Sequence, residues 1–199
     1  FSVSETTEGV HIHIIDAELM GKGEKEKKDL YIEGVQNNGI INHYEYIINS
    51  EGTIEIRHVL KPEGKMPLWF PRIGLTLTVS DALDQVKWYG RGPQENYPDR
   101  KTGYPMGIYA STVQAMYEPY LMPQDYGLRT DVRWLQLTTD KGIGLQFKMN
   151  EWFNFNIYPY STDNLTKAMY TYQLQKQKGM TLNLDYATTG VGCTARGVF

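Results

Sequence analysis

The chain has 199 residues, 41% of them hydrophobic and 22% charged, with a net charge of −3. That length holds one all-β domain with a full core, and the mild acidity excludes a phosphate-binding surface, which needs clustered Lys and Arg, so no nucleic acid is expected as a partner. The single Cys193 excludes an internal disulfide and no Cys/His spacing suggests zinc, while no run approaches the roughly 20 apolar residues of a membrane helix; no metal, cofactor or membrane partner is expected.

In chain order, period-2 alternation predicts strands at Val10–Ile15, His43–Ile48 and Thr53–Leu60. The basic run Lys22–Lys28 between the first two contains Glu24 and Glu26 and reads as a solvated loop. Asn49-Ser50-Glu51-Gly52 marks a hairpin, with Gly52 able to take positive φ. Beyond it, Ile54, Ile56, His58 and Leu60 share one face, which makes His58 a satisfied core histidine rather than a ligand. Further strands are predicted at Ile73–Val79, Val86–Tyr89, Val132–Thr138, Ile143–Met149, Phe153–Tyr158 and Thr181–Thr188, with a second hairpin at Thr139-Asp140-Lys141-Gly142. Only Asp163–Tyr172 reads as helical, capped by Ser161 or Thr162. Many short strands separated by turn signals predict a large antiparallel β-sandwich with at most one short helix, read as a single domain over residues 1–199.

The stretch from Tyr89 to Asp131 departs from this pattern, being dense in Gly and Pro yet rich in Tyr. Long loops with aromatic anchors on a rigid β scaffold are where binding sites concentrate. Within it, Gly92-Pro93-Gln94-Glu95-Asn96-Tyr97-Pro98-Asp99-Arg100 cannot be a central strand, because two prolines fix φ and remove donors. Its polar side chains must satisfy an irregular backbone or face a ligand. Glu95 and Asp99, beside Arg91 and Arg100, are expected to staple the loop through charge-assisted hydrogen bonds, with Pro93 and Asn96 completing the structural motif. The chain carries 15 Tyr and 4 Trp, most of them suited to half-buried strands. Trp88, Tyr97, Trp134, Trp152, Tyr158 and Tyr160 are the rings considered for stacking on a sugar, and Glu151-Trp152, after Met149-Asn150, is the least core-like of these positions.

Trp88-Tyr89-Gly90-Arg91 followed by Gly92–Arg100 resembles the signature of the small-chain, C-terminal domain of family 2 β-galactosidases. So do Pro71-Arg72-Ile73-Gly74-Leu75, Glu118-Pro119-Tyr120, Gly127–Trp134, Phe155-Asn156-Ile157, Leu182-Asn183-Leu184-Asp185 and Gly190-Val191-Gly192, all in family order. Together they span about residues 42 to 195. The resemblance implies a galactose-mutarotase-like supersandwich, a role in carbohydrate metabolism, and partnership with the other domains of a larger glycosidase, with a homo-oligomer among the partners expected. It also implies that both catalytic glutamates lie in a (β/α)-barrel, which this chain has neither the length nor the βα alternation to form.

Some family positions differ. The segment rich in Asp and Asn that opens the family's domain is absent; Gln124-Asp125-Tyr126-Gly127 stands for the usual QENG, and Tyr170 and Gln173 stand for a His and a Glu. The galactose-contacting Trp or Cys of the family falls on Arg196 or Gly197. No catalytic residue is therefore assigned, and Glu95, Tyr97, Trp152 and Arg196 are the candidate carbohydrate contacts. The chain, beginning at Phe1 without Met, reads as a fragment of a multidomain glycoside hydrolase that is soluble, in cytoplasm or periplasm. Two other readings are a non-catalytic carbohydrate-binding module and an aldose 1-epimerase-like enzyme, which would need a Glu base and a His acid.

Overall fold

The computed structural model describes residues 1–19, 39–64, 66 and 70–189. The basic run Lys22–Lys28, the Gly190-Val191-Gly192 motif, Arg196 and Gly197 lie outside the described residues. The architecture is all-β and antiparallel throughout, with one short α-helix among the described residues, as the alternation predicts. The chain divides into two compact units, Phe1–Leu68 and Trp69–Phe199. No helix among the described residues is long and apolar enough to cross a membrane.

The first unit is a four-stranded meander of β1 (Ser2–Thr6), β2 (Gly9–Leu19), β3 (Gly39–Ile48) and β4 (Ile54–Glu63), paired in sequence order. The expected hairpin joins β3 to β4 with Ile48 opposite Ile54. Asn49 closes it, its Oδ1 accepting from the backbone of Glu51 and Thr53 at 3.0 Å each, while Gly52 takes a φ of 82° that a β-carbon would disfavour. His58 is hydrogen-bonded as expected, its Nε2 lying 3.0 Å from Asn42 Oδ1 and its ring stacked on Tyr44. The strand around it is less buried than its pattern implies, since Ile54 and Ile56 are exposed.

The second unit is a six-stranded sheet formed by β5 (Arg72–Val79), β6 (Gln85–Arg91), β7 (Met106–Thr112), β8 (Arg129–Thr138), β9 (Gly144–Tyr158) and β10 (Met180–Thr188), in the order β5-β10-β9-β8-β6-β7. Trp88, Leu135, Leu137, Phe153, Phe155 and Leu182 alternate onto one face and form its apolar core. The opposite face carries a polar ladder across strands. Thr76 Oγ1 donates to Asn183 Oδ1 at 2.8 Å, Asn183 Nδ2 to Asn156 Oδ1 at 2.8 Å, and Asn156 Nδ2 to Asp125 Oδ1 at 2.8 Å. Asn156 and Asn183 can be buried because each finds a partner.

Three elements differ from the sequence reading. The two strands predicted at 143–149 and 153–158 are one continuous β9, interrupted only on its β8 side. Strand β7 emerges from the Gly- and Pro-rich stretch, paired along β6 and packing Tyr109 against Trp88 at 5.5 Å between centroids. The helix is shorter than predicted: α1 (Thr162–Lys167) starts at Ser161, whose side chain accepts from Asn164 N, and stops where Ala168 turns extended. A 3-10 turn at Thr171–Gln173 follows, in which Gln173 Oε1 accepts from Met169 N at 2.7 Å and Tyr170 N at 3.1 Å. That side chain takes backbone donors a continuing helix would have used.

Leu182 is fully buried between Leu77 and Ile157. Truncation to Ala is expected to cost about 2–5 kcal/mol through lost transfer energy and a residual cavity. Urea unfolding followed by tryptophan fluorescence measures it, and a loss under about 1 kcal/mol contradicts the core assigned to this sheet.

Candidate functional site

The loop at 92–100 is held by its own polar side chains. After the cis Gly92–Pro93 peptide, Asn96 is fully buried, its backbone N–H donating to Leu128 O at 2.8 Å and its Oδ1 accepting from Thr130 N at 3.0 Å and Thr130 Oγ1 at 2.5 Å. Glu95 is 5% exposed, and its carboxylate is ringed by donors. Oε1 accepts from Arg100 Nη2 at 3.1 Å and from the Tyr120 hydroxyl, while Oε2 accepts from Tyr97 Oη at 3.1 Å and Gly127 N at 2.9 Å. Burial and the Glu95 charge both push the Tyr97 and Tyr120 hydroxyls well above their usual range. Both therefore stay protonated as donors. Gly127 reaches the carboxylate with a φ of 76°, in the left-handed region.

The staple differs in detail from expectation. Arg100 pairs with Glu95, but Asp99 is exposed, and Arg91 turns to Asp131 instead. Several of the family-like motifs meet in one network. Arg72 Nε lies 3.0 Å from the Asp185 carboxylate and its Nη2 3.2 Å from Asp125 Oδ2, and Asp125 Oδ1 also accepts from Tyr158 Oη at 3.0 Å. Asp125, in the segment that departs from QENG, is thus part of the fold's polar framework.

Beside this loop opens a cleft of about 570 Å³, lined by Pro98, Lys101, Asp131, Glu151, Trp152 and Asn154, with Tyr186 and Thr188 at its margin. Two irregularities between β8 and β9 build it. Between the pairs Trp134–Lys148 and Val132–Phe153, four residues of β9 (149–152) face the single Arg133 of β8. Between Val132–Phe153 and Arg129–Phe155, Thr130 and Asp131 face Asn154 alone. Bulges of this kind re-aim side chains out of the pleat. The first throws Trp152 outward, 58% exposed, with the Arg133 guanidinium 3.8 Å from its ring centroid. The second puts Asp131 at a φ of 56°, a conformation uncommon outside glycine.

Asp131 is fixed by two cations, with Oδ1 2.6 Å from Lys101 Nζ and Oδ2 2.6 Å from Arg91 Nε. Burial alone would raise its pKa, but the hydrogen bonds and charges of Lys101 and Arg91 outweigh it and hold the carboxyl below its ordinary value. Asn154 extends the array, its Oδ1 accepting from Asp131 N at 3.3 Å and its Nδ2 donating to Thr188 Oγ1 at 3.4 Å. The cleft thus offers a half-exposed indole, a charge-locked carboxylate with its lysine, and neutral amide and hydroxyl groups. A second hollow of about 460 Å³ lies by Tyr117, Tyr126 and Tyr160.

The structure therefore sorts the predicted residues. Trp152 lines the cleft. Glu95 and Tyr97 bond to each other beneath the loop, with Asn96 and Arg100 beside them. Trp88 is 1% exposed and Tyr158 0%, so both are core rings, whereas Trp134 and Tyr160 are half-buried. Asp131 and Arg133 lie in the Gly127–Trp134 motif read from the sequence, but neither they nor Lys101 and Asn154 were named there as site residues. Asp131 meets Lys101 and Arg91 across 30 and 40 residues of chain, a separation that no local spacing reveals.

Asp131→Asn is expected to destabilise the protein by about 1.5–3 kcal/mol at pH 7, the range for hydrogen bonds to charged groups. Because the folded-state pKa lies below the unfolded one, this stabilisation is fully present above about pH 4 and is lost as pH falls through the folded value. Unfolding free energies of both proteins between pH 3 and 8 check it; a gap that stays constant to pH 3, or is absent at pH 7, contradicts the ion-pair role.

A family profile described as beta galactosidase small chain matches residues 5–198. A β-galactosidase of Priestia megaterium is 38% identical over 147 residues, which is 74% of this chain and 14% of that protein. One from Pseudoalteromonas haloplanktis is 34% identical over 148 residues, again 74% of this chain and 14% of the relative. One from Vibrio cholerae is 39% identical over 122 residues, 61% of this chain and 11% of the relative. The chain spans about one seventh or less of the curated relatives it matches. With its motif loop, its polar framework and the profile match running nearly end to end, this chain belongs to the β-galactosidase small-chain family.

Proposed function

We propose that this chain is the non-catalytic, small-chain domain of a β-galactosidase-type glycoside hydrolase, shaping the sugar site while the two catalytic glutamates lie on another domain. The observation that carries this reading is the cleft itself. Trp152 presents an exposed ring suited to the apolar face of a sugar, and the amide and hydroxyl groups of Asn154 and Thr188 suit its hydroxyls.

Chemistry argues against turnover by these residues. Retaining hydrolysis needs two carboxyl groups about 5–5.5 Å apart, one of them an acid with a raised pKa. In the cleft Asp131 has both oxygens engaged by cations and its pKa lowered, so it serves neither as acid nor as an unencumbered nucleophile. Glu95 is enclosed by four donors. An epimerase would need a histidine acid, and among the described residues none of those lining the cleft is a histidine. A free-standing carbohydrate-binding module would use the same indole; family membership favours a domain of a larger enzyme.

The chain alone is expected to give no turnover of a nitrophenyl galactoside beside a complete β-galactosidase as positive control. Millimolar galactose or lactose is expected to change its tryptophan fluorescence, with Trp152→Ala weakening that response at least tenfold, or about 1.4 kcal/mol. Turnover that disappears on Glu151→Gln or Asp131→Asn would overturn the division of labour proposed here. A sugar response that Trp152→Ala leaves intact would move the contact elsewhere.

A further inference from the structure

In the first unit, β2 and β3 bring together three side chains that the sugar-site reading does not use. His11 and His13 sit two residues apart on β2 and so project from the same face. Glu45 on β3 is directly opposite His13 in the register. Glu45 Oε1 lies 3.5 Å from His11 Nδ1 and 3.7 Å from His13 Nε2, and one potential ligand atom from each of the three residues falls within 4.8 Å of the others.

These separations are long for hydrogen bonds, which for N–H···O cluster near 2.9–3.0 Å. They are close to what a shared metal ion imposes, because ligands 2.0–2.1 Å from a tetrahedral zinc stand about 3.3–3.4 Å apart. Strand geometry supplies this spacing without special loops. The surroundings suit the arrangement. Arg57, opposite Glu45 on β4, holds the other carboxylate oxygen, its Nη1 3.2 Å from Oε2, and so orients Oε1 towards the imidazoles. The Arg57 charge is itself shared with Glu55, whose Oε1 is 2.8 Å from Arg57 Nε, which leaves the Glu45–Glu55–Arg57 group with one net negative charge. His11 Nε2 is enclosed and has no hydrogen-bond partner among the described residues. Ligation of an ion through Nδ1 puts the ring proton on Nε2.

We propose that His11, His13 and Glu45 form a binding site for a divalent transition ion of the zinc type, with two imidazoles, one carboxylate and remaining positions for water. Imidazole-rich donor sets select such ions over magnesium, which requires oxygen ligands in octahedral array. The expectation of no metal rests on missing Cys spacing, and a His-x-His pair on a strand with a cross-strand carboxylate escapes that test.

Zn²⁺ titrated into the full chain by calorimetry is expected to saturate at one ion per chain, and Co²⁺ in its place to show visible d–d bands. His13→Gln and Glu45→Gln, with circular dichroism confirming that each variant folds, should each weaken binding at least tenfold, whereas Cys193→Ser should leave it unchanged. His13 is half exposed, so its substitution tests the ligand rather than the fold. Absence of saturable Zn²⁺ binding reduces the cluster to a histidine–carboxylate contact and overturns the proposal. So does binding that neither His13→Gln nor Glu45→Gln weakens, or that Mg²⁺ matches in affinity.

Discussion

A buried carboxylate cannot stand alone in a protein interior; its charge must be met by donors whose positions are then fixed in turn. Glu95 imposes that constraint on the second unit. Its donors come from its own loop (Tyr97 and Arg100), from Tyr120, and from the backbone of Gly127. Two long irregular segments, which have no ladder to hold them, are thereby tied to one another. Asn96 continues the tie into β8 through Thr130. Pro98 and Lys101, which follow in the same chain direction, are delivered to the rim of the cleft as a consequence. The loop's most conspicuous acid thus acts as a structural anchor, and the chemistry at the surface is presented by its neighbours.

The second organising feature is the mismatch between β8 and β9. A regular ladder would alternate Trp152 and Asp131 between core and solvent according to the pleat. Four residues facing one, followed by one facing two, breaks that alternation twice within a few residues. The left-handed backbone at Asp131 carries a conformational cost, and the Lys101 and Arg91 contacts over-determine it. Arg133 does the same for the outward indole by covering the ring with its guanidinium. The cleft is therefore preorganised: its platform and its carboxylate are each held by a cation from the protein itself.

Much of this was legible in the sequence where the physics is local. The hairpin at Asn49–Gly52, the strand at 73–79, a helix cap at Ser161 or Thr162 and the irregular loop at 92–100 follow from alternation, turn residues and proline chemistry, and the structure agrees, with Ser161 as the cap. Strand β7 escaped because its apolar residues point outward: Ile108 is exposed while Tyr109 packs inward, and flanking Gly and Pro mask the period. The merger of two predicted strands into β9 escaped because Asn150 reads as a turn, whereas in the fold it lies in the bulge of a continuous strand. Trp152, which lines the cleft, was noticed because it follows a turn-like pair and so looked unlike core. Asp131 was not, because its meaning depends on Lys101 and Arg91 reaching it through tertiary structure.

The electrostatics also bear on how labour would be divided in the parent enzyme. A carboxylate doubly paired with Lys and Arg is a poor proton shuttle, because protonating it costs two charge-assisted hydrogen bonds. The same pairing fixes the position of the carboxylate. An acid held ionised at neutral pH by two cations, beside an exposed indole, is suited to recognition rather than to acid–base chemistry. The pairing that stiffens this cleft is thus what makes Asp131 unsuited to cleaving a glycosidic bond. A domain of this family can therefore favour rigidity here, provided that the groups which must change protonation state are placed on a partner domain.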